Sequence, residues 1–322
     1  LHLSIRRQRQ MCIRDRRFAI QSQDYFSGDG YGARISGDRL LLQFSMSLSE
    51  SGEQPRWPRW AAIEQGNPVW TPLVDLEQLY FPNFVIDEPT IHSFLSCDLG
   101  VLFAAGFDCE TVAVVGNDTM QHYQTQNARY VALGHMDPAF LGDPDYADSG
   151  RPLDRNLEPP PPQTTLLRLP TRSSAVVGAK IIGSVRSGFD FHQSGDQLYV
   201  ASDIRRSDSE VLLTEVANAA FSSSAPLVQP IARLNSVGYA RRFGHNALWV
   251  AGKLGNSQPV IQVQPIDGSA AVVLTASMPT ELLQPVGVQM IALGGDNQDP
   301  PGSGLDLYSS PPLARNIGQH RV

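Results

Sequence analysis

From Gly32 onward the chain alternates short runs of Val, Ile, Leu and Tyr with clusters of Gly, Asp, Asn and Ser, and helical spacing of apolar residues is scarce. Apolar runs of this length between turn-formers read as β-strands joined by tight turns. One unit recurs: a turn containing Gly, Asp or Asn, then a strand with a large apolar or aromatic residue near its middle. It appears as Ser36-Gly37-Asp38-Arg39-Leu40-Leu41-Leu42, as Gln126-Asn127-Ala128-Arg129-Tyr130-Val131-Ala132, as Ser194-Gly195-Asp196-Gln197-Leu198-Tyr199-Val200 and as Gly244-His245-Asn246-Ala247-Leu248-Trp249-Val250, with a degenerate copy at Val288-Gln289-Met290-Ile291-Ala292. Taking Leu41, Tyr130, Tyr199, Trp249 and Ile291 as equivalent gives spacings of 89, 69, 50 and 42 residues. The last two match one propeller blade of about 40–50 residues.

The longer spacings contain proline-rich stretches. Residues 49–75 include Pro55, Pro58, Pro68 and Pro72, and residues 137–163 include Asp143-Pro144-Asp145 and the run Pro159-Pro160-Pro161-Pro162. Proline donates no backbone hydrogen bond and resists central strands, so both stretches are expected to be loop insertions. The pattern therefore predicts an all-β protein over residues 18–322, an incomplete β-propeller of about five blades of four-stranded antiparallel sheets. A β-sandwich with coincidental hairpin turns is the alternative. A single blade cannot bury both of its faces, so such units must stack.

Residues 1–17 stand apart. They carry six arginines, and the string RRQRQMCIRDR resembles a translated sequencing adapter more than a native basic arm. They are expected to contribute nothing to the fold. The whole chain has 25 Lys and Arg against 32 Asp and Glu, a net charge of −7. No overall positive field draws in nucleic acid or anionic lipid. No apolar run is long enough for a membrane-spanning helix, and Cys12, Cys97 and Cys109 form no CxxC pair of the kind that holds zinc.

The order of several segments resembles bacterial and archaeal secreted proteins with a C-terminal β-propeller domain. The segments are Tyr31–Leu40, Leu76–Pro82, Thr111–Gly116, Thr164–Leu169, Gly195–Ala201, Val260–Val263 and Gly304–Tyr308. Leu76 stands where that family usually carries a Cys. The resemblance implies an extracytoplasmic, surface-associated propeller, with a protein or glycan partner at the cell surface. It supplies no catalytic residues and no cofactor.

Motifs for chemistry are sparse. The seven histidines are scattered singly, GxGxxG and GxxxxGK[ST] are absent, and Gly302-Ser303-Gly304 falls short of a nucleophile elbow and reads as a plain loop. Asp296 and Asp299 place hard oxygen ligands close together, as Ca²⁺ requires, but without the full loop spacing; a solvated turn fits them better, as it does Asp143, Asp145 and Asp148. Cys97 and Cys109 lie twelve residues apart. They are either a disulfide, worth about 2–3 kcal/mol by loop entropy, or two buried thiols. The remaining candidates are Trp57, Arg59, Trp60 and Trp70, which place three of the four tryptophans in the first insertion. Trp and Arg lead the composition of binding hot spots, although the rings could instead fold back over a sheet edge. The chain thus reads as a non-enzymatic binding or scaffold module without cofactor. A propeller hydrolase or lyase acting on polysaccharide is the alternative.

Overall fold

Turn chemistry sets the strand pairing. In the computed structural model, residues 24–48, 57–64, 67–84, 86, 88–101, 109–118, 120–125, 128–134, 161–170, 175–204, 210–235, 237–254, 258–296, 302–309 and 316–321 are described. The arginine-rich residues 1–17 and most of the second proline-rich stretch lie outside them. The chain divides into two units, residues 1–80 with 90–115, and residues 81–89 with 116–322.

The first unit contains β1 (Asp24–Phe26), β2 (Asp29–Ser36), β3 (Arg39–Ser47), β4 (Arg59–Glu64), β5 (Asn67–Pro72), β6 (Leu79–Tyr80), β7 (Thr90–Asp98) and β8 (Cys109–Gly116). They form sheet I, in the order β1-β4-β5, and sheet II, in the order β2-β3-β7-β8-β6. Phe26 of sheet I stacks on Phe44 of sheet II with ring centroids 4.4 Å apart.

The second unit contains β9 (Gln121–Gln124), β10 (Ala128–Gly134), β11 (Gln163–Pro170), β12 (Val177–Ile182), β13 (Phe191–Ser194), β14 (Gln197–Asp203), β15 (Glu210–Ala217), β16 (Leu227–Val228) and β17 (Ala232–Asn235). It continues with β18 (Val237–Gly244), β19 (Ala247–Leu254), β20 (Gln258–Pro265), β21 (Val272–Thr275), β22 (Thr280–Val286), β23 (Gln289–Asp296), β24 (Gly302–Ser309) and β25 (Asn316–Arg321). The sheets are III (β16-β12-β11-β10-β9), IV (β13-β14-β15-β17), V (β18-β19-β20-β21) and VI (β22-β23-β24-β25). Sheets IV to VI are four-stranded; sheet III adds the short β16 and sheet II the short β6, each parallel to its neighbour, while sheet I has three strands. The strand number is thus less uniform than the expected four.

Every recurring unit falls on the second strand of a meander: β3, β10, β14, β19 and β23. The register agrees as well. The first residue of each (Arg39, Ala128, Gln197, Ala247, Gln289) pairs with the last residue of the next meander strand (Asp98, Pro170, Ala217, Pro265, Ser309). Leu41, Tyr130, Tyr199, Trp249 and Ile291 each lie two residues further on and are equivalent in register. The turns before four of these strands have two residues. Gly37, Gly195 and Gly287 take positive φ at the first turn position, and His245 and Asn246 are both at φ 55. Such mirror-image turns match the twist of the strands they join.

Alternation along these strands builds the core of the second unit. Tyr130 and Ala132 of sheet III meet Leu198 and Val200 of sheet IV. Tyr199 and Ala201, the alternate residues of the same strand of sheet IV, meet Leu248 and Val250 of sheet V. Trp249 and Ala251, alternate again, meet Met290 and Ala292 of sheet VI. Sheets IV and V therefore each bury a back face on the preceding sheet and a forward face on the following one. Sheet VI departs from this rule. Its forward face carries the register pair Leu282 and Leu293, both exposed, and half-buried Ile291, with no following sheet among the described residues of its unit.

The first proline-rich stretch differs from the expected loop: within it β4 and β5 form a hairpin. Proline is tolerated there because β5 is the edge of sheet I. Leu73 N–H donates to Pro58 O, so odd residues of β5 point their donors at β4. Pro68 and Pro72 point outward, where no ladder bond is lost. The segment Gly302-Ser303-Gly304, expected to be a loop, is part of β24 and pairs with Gly294–Asp296 of β23.

The register makes Trp249 and Ile291 a matched test. Trp249 is wholly buried, so Trp249→Ala should cost about 3–5 kcal/mol in urea unfolding. Ile291→Ala, at the equivalent position of the sheet with the open forward face, should cost less than half as much; equal costs would show that face to be covered.

Candidate functional site

The hairpin of sheet I sorts the four aromatic and basic candidates onto two faces. Trp60 pairs with Phe26 on one side and Thr71 on the other, so it shares the face that stacks on sheet II. Trp70 pairs with Ala61 and Arg59 with Pro72, which puts Arg59 and Trp70 together on the opposite face, as diagonal neighbours across the hairpin. Ala61 between them has no exposed surface, whereas Trp70 is 45% exposed and Arg59 is exposed. Arg59 is fixed through its backbone: its N–H donates to Ser27 Oγ at 2.7 Å and its carbonyl accepts from Ser27 N–H at 2.9 Å. The side chain is left to solvent. Trp57 has a different role, since its indole Nε1 donates to the carbonyl of buried Val74 at 2.7 Å and closes the segment after β5 onto the segment before β4. Of the four residues, the structure brings Arg59 and Trp70 together on an open surface and commits Trp57 and Trp60 to packing.

Cys97 on β7 and Cys109 at the start of β8 are joined as a disulfide, with Cα atoms 4.2 Å apart. It ties together neighbouring strands of sheet II. Asp296 ends β23 opposite Gly302, and Asp299 lies outside the described residues. Among the described residues no three His, Cys, Asp or Glu side chains gather as a metal site. No helix among them is long and apolar enough to cross a membrane.

Among the described residues, the largest concentration of buried charge lies where no sequence motif pointed. A single 3-10 turn, Gly188–Asp190, precedes β13 and ends in wholly buried Asp190. Asp190 Oδ1 accepts from Arg241 Nε at 2.5 Å, and Oδ2 accepts from Arg241 Nη2 at 2.5 Å. Oδ2 also accepts from the backbone N–H groups of Arg186 and Ser187, both at 2.9 Å. Arg241 Nη1 lies 2.6 Å from Asp203 Oδ2, and Arg186 Nε lies 2.5 Å from the same oxygen. Burial acts to lower the pKa of Arg241, but the Asp190 hydrogen bonds and the charges of Asp190 and Asp203 outweigh it and raise it above the usual arginine value. The cluster joins three parts of the chain: the connection from sheet III, sheet IV, and the first strand of sheet V. Backbone bonds between Ser184 and Asp203 close the same corner. Gly183 beside them is at φ +93, and a Cβ there would stand 2.8 Å from Asp203 O.

Next to the cluster, His192 stacks on Phe243 of sheet V, with ring centroids 5.5 Å apart. Its Nε2 is buried without a hydrogen-bond partner among the described residues, and burial lowers its pKa below the ordinary 6.5. No sequence motif marks these groups. The one visible signal was a run of polar residues, Arg241-Arg242 and Asp203, within otherwise apolar strands.

No protein-family model matches the chain, and no curated protein matches it. Among solved structures, a variant of the apocarotenoid oxygenase of Synechocystis aligns with a TM-score of 0.44 at 10% identity, covering 90% of this chain and 71% of the oxygenase. The cobalt-substituted form of that enzyme gives 0.43 at 11% identity over the same shares. The acylaminoacyl peptidase of Pyrococcus horikoshii gives 0.35 at 9% identity, covering 90% of this chain and 46% of the peptidase. Likenesses of this size carry no functional argument.

Two measurements test the electrostatics. Arg241→Leu leaves Asp190 buried without its main partner and should destabilise the protein by about 3–5 kcal/mol in chemical unfolding; a change under about 1 kcal/mol would mean that the pair contributes little. His192 has a lowered pKa when folded, so the unfolded chain binds its proton first as pH falls. Its contribution is therefore fully present above the unfolded value of 6.5 and is lost as pH falls through 6.5 toward the lower folded value. His192→Phe should flatten the melting-temperature profile between pH 7 and 5, and an unchanged slope would remove His192 from the account.

Proposed function

We propose that the successive sheets are blades of an incomplete β-propeller, and that the protein is a non-enzymatic extracytoplasmic module that binds a glycan or a protein surface. The observation that carries this reading is the open face of the sheet I hairpin. There the exposed Trp70 indole and the exposed Arg59 side chain stand side by side on a backbone fixed by Ser27, Trp57 and the β4 ladder. A rigid indole offers a large apolar face at low entropic cost, and an adjacent guanidinium adds direction through its hydrogen bonds. The propeller reading is supported by the common register of the second strands and by the forward-to-back packing of sheets III to VI. The Cys97–Cys109 disulfide supports an oxidising compartment, where such bonds persist.

Hydrolysis or cleavage of polysaccharide would need a carboxylate free to give or take a proton. Among the described residues the buried carboxylates are engaged: Asp190 and Asp203 face arginines, and Asp306 accepts from Ser277 N–H, Ser277 Oγ and Tyr308 Oη. No specific observation favours the enzyme reading.

Affinity electrophoresis through gels containing cell-surface polysaccharides, together with partner pull-down, tests the binding face. Trp70→Ala should lose about 2–4 kcal/mol of retention without a change in melting temperature. Trp57→Ala should lower the melting temperature, because it removes the bond to Val74. Retention of Trp70→Ala equal to that of the native chain would overturn the assignment, and polysaccharide turnover by the purified protein would replace it with the enzyme reading.

A further inference from the structure

The buried ion cluster leaves one cation over. Arg186 and Arg241 engage Asp203, and Arg241 also takes both oxygens of Asp190, so both carboxylates already face arginines. Arg242, the next residue on β18, has no hydrogen bond or ion pair among the described residues. Its contact there is with a ring: the guanidinium carbon lies 4.1 Å from the centroid of Phe189. Phe189 is itself 57% exposed, in the turn that ends at Asp190. We propose that Arg242, held on Phe189, is a binding site for a small carboxylate ligand, distinct from the Arg59 and Trp70 face.

A guanidinium carbon 4.1 Å from a ring centroid is held by attraction to the ring face, which uses none of the N–H donors of its planar fork as hydrogen bonds to oxygen. A carboxylate matches that fork with two parallel hydrogen bonds, whereas a spherical anion cannot. The site is also preorganised. Asp190 fixes one end of the Phe189 turn through four hydrogen bonds. At the other end, a Cβ on Gly188 would stand 3.0 Å from the carbonyl oxygen of His122, so the turn lies close against β9 of sheet III. Arg242 comes from sheet V and is half-buried. The ring and the guanidinium are thus positioned by three sheets, which reduces the conformational freedom lost on binding. The ligand is small because the chain as a whole is acidic, at −7, and repels an extended polyanion while one guanidinium can still hold one carboxylate.

Isothermal titration calorimetry of the full chain at low ionic strength, with glucuronate as probe and glucose as its uncharged counterpart, tests the site. Glucuronate should bind saturably and glucose should not. Arg242→Gln should weaken glucuronate by roughly tenfold or more, and Arg242→Lys should weaken it too, because a point charge lacks the planar fork. Phe189→Leu should weaken it several-fold, with melting temperatures checking that each variant is folded. If Arg242→Gln does not fold, the Arg242 Nε–H resonance of the native chain provides the reading, and glucuronate should shift it. Unsaturable heats with the native chain, unchanged affinity in folded Arg242→Gln, an unmoved Nε–H resonance, or displacement by chloride as effective as by glucuronate would each overturn the proposal.

Discussion

A β-strand points successive side chains to opposite faces, and a sheet whose two faces are both apolar must be covered on both. This constraint organises sheets III to VI. Leu198 and Val200 face back while Tyr199 and Ala201 face forward from the same strand, and both pairs are buried because a sheet lies on each side. The pattern fixes register, since a slip of one residue would exchange the two sets and place Tyr199 where Leu198 fits. Large and small residues also alternate along the forward face, Tyr130 with Ala132, Tyr199 with Ala201 and Trp249 with Ala251. The small residue gives the large one room against the next sheet, as close packing requires.

The apolar rule breaks at one end of the interface between sheets IV and V. There the buried side chains are those of Asp190, Asp203 and Arg241, close to His192 and Phe243. An isolated buried charge is costly, so each member depends on the others, and on the backbone N–H groups of Arg186 and Ser187, for its place in the interior. Apolar residues of equal volume often serve as well as ion pairs of this kind, whereas removing one partner alone leaves a buried charge uncompensated and is strongly destabilising. Here they set where the connection from sheet III meets the first strand of sheet V, a position that alternation alone leaves open.

The legibility of the chain divides along the same line. The second strands were readable because two local signals coincide in them: a turn residue able to take positive φ, and an apolar run with a large residue at a fixed offset. Gly195 with Tyr199 shows this most clearly. The β4–β5 hairpin was hidden by its prolines, because Pro68 and Pro72 argue against a strand until it is known that β5 is an edge and that both point outward. Trp57, Trp60 and Trp70 looked alike in sequence. Their separation into anchor, packed residue and open platform comes from strand parity and from the distant partners Phe26 and Val74. Asp190 and Arg241 are 51 residues apart, with no motif joining them, so their pairing depends wholly on sheet order.

The edge position of β5 also restricts how its surface can be used. An exposed edge strand normally invites strand addition, in which a partner reads a row of backbone donors and acceptors. On β5 the outward row belongs to residues 68, 70 and 72, and two of these are proline, so only Trp70 retains an outward N–H. A partner strand would find its ladder interrupted on both sides of that donor. What the edge does offer is side-chain surface: the Trp70 ring on the face that carries Arg59, flanked by the rigid rings of Pro68 and Pro72. The prolines that suppress backbone pairing also hold the strand extended at low entropic cost, so the same residues that oppose edge-to-edge aggregation keep the exposed indole on a stiff backbone.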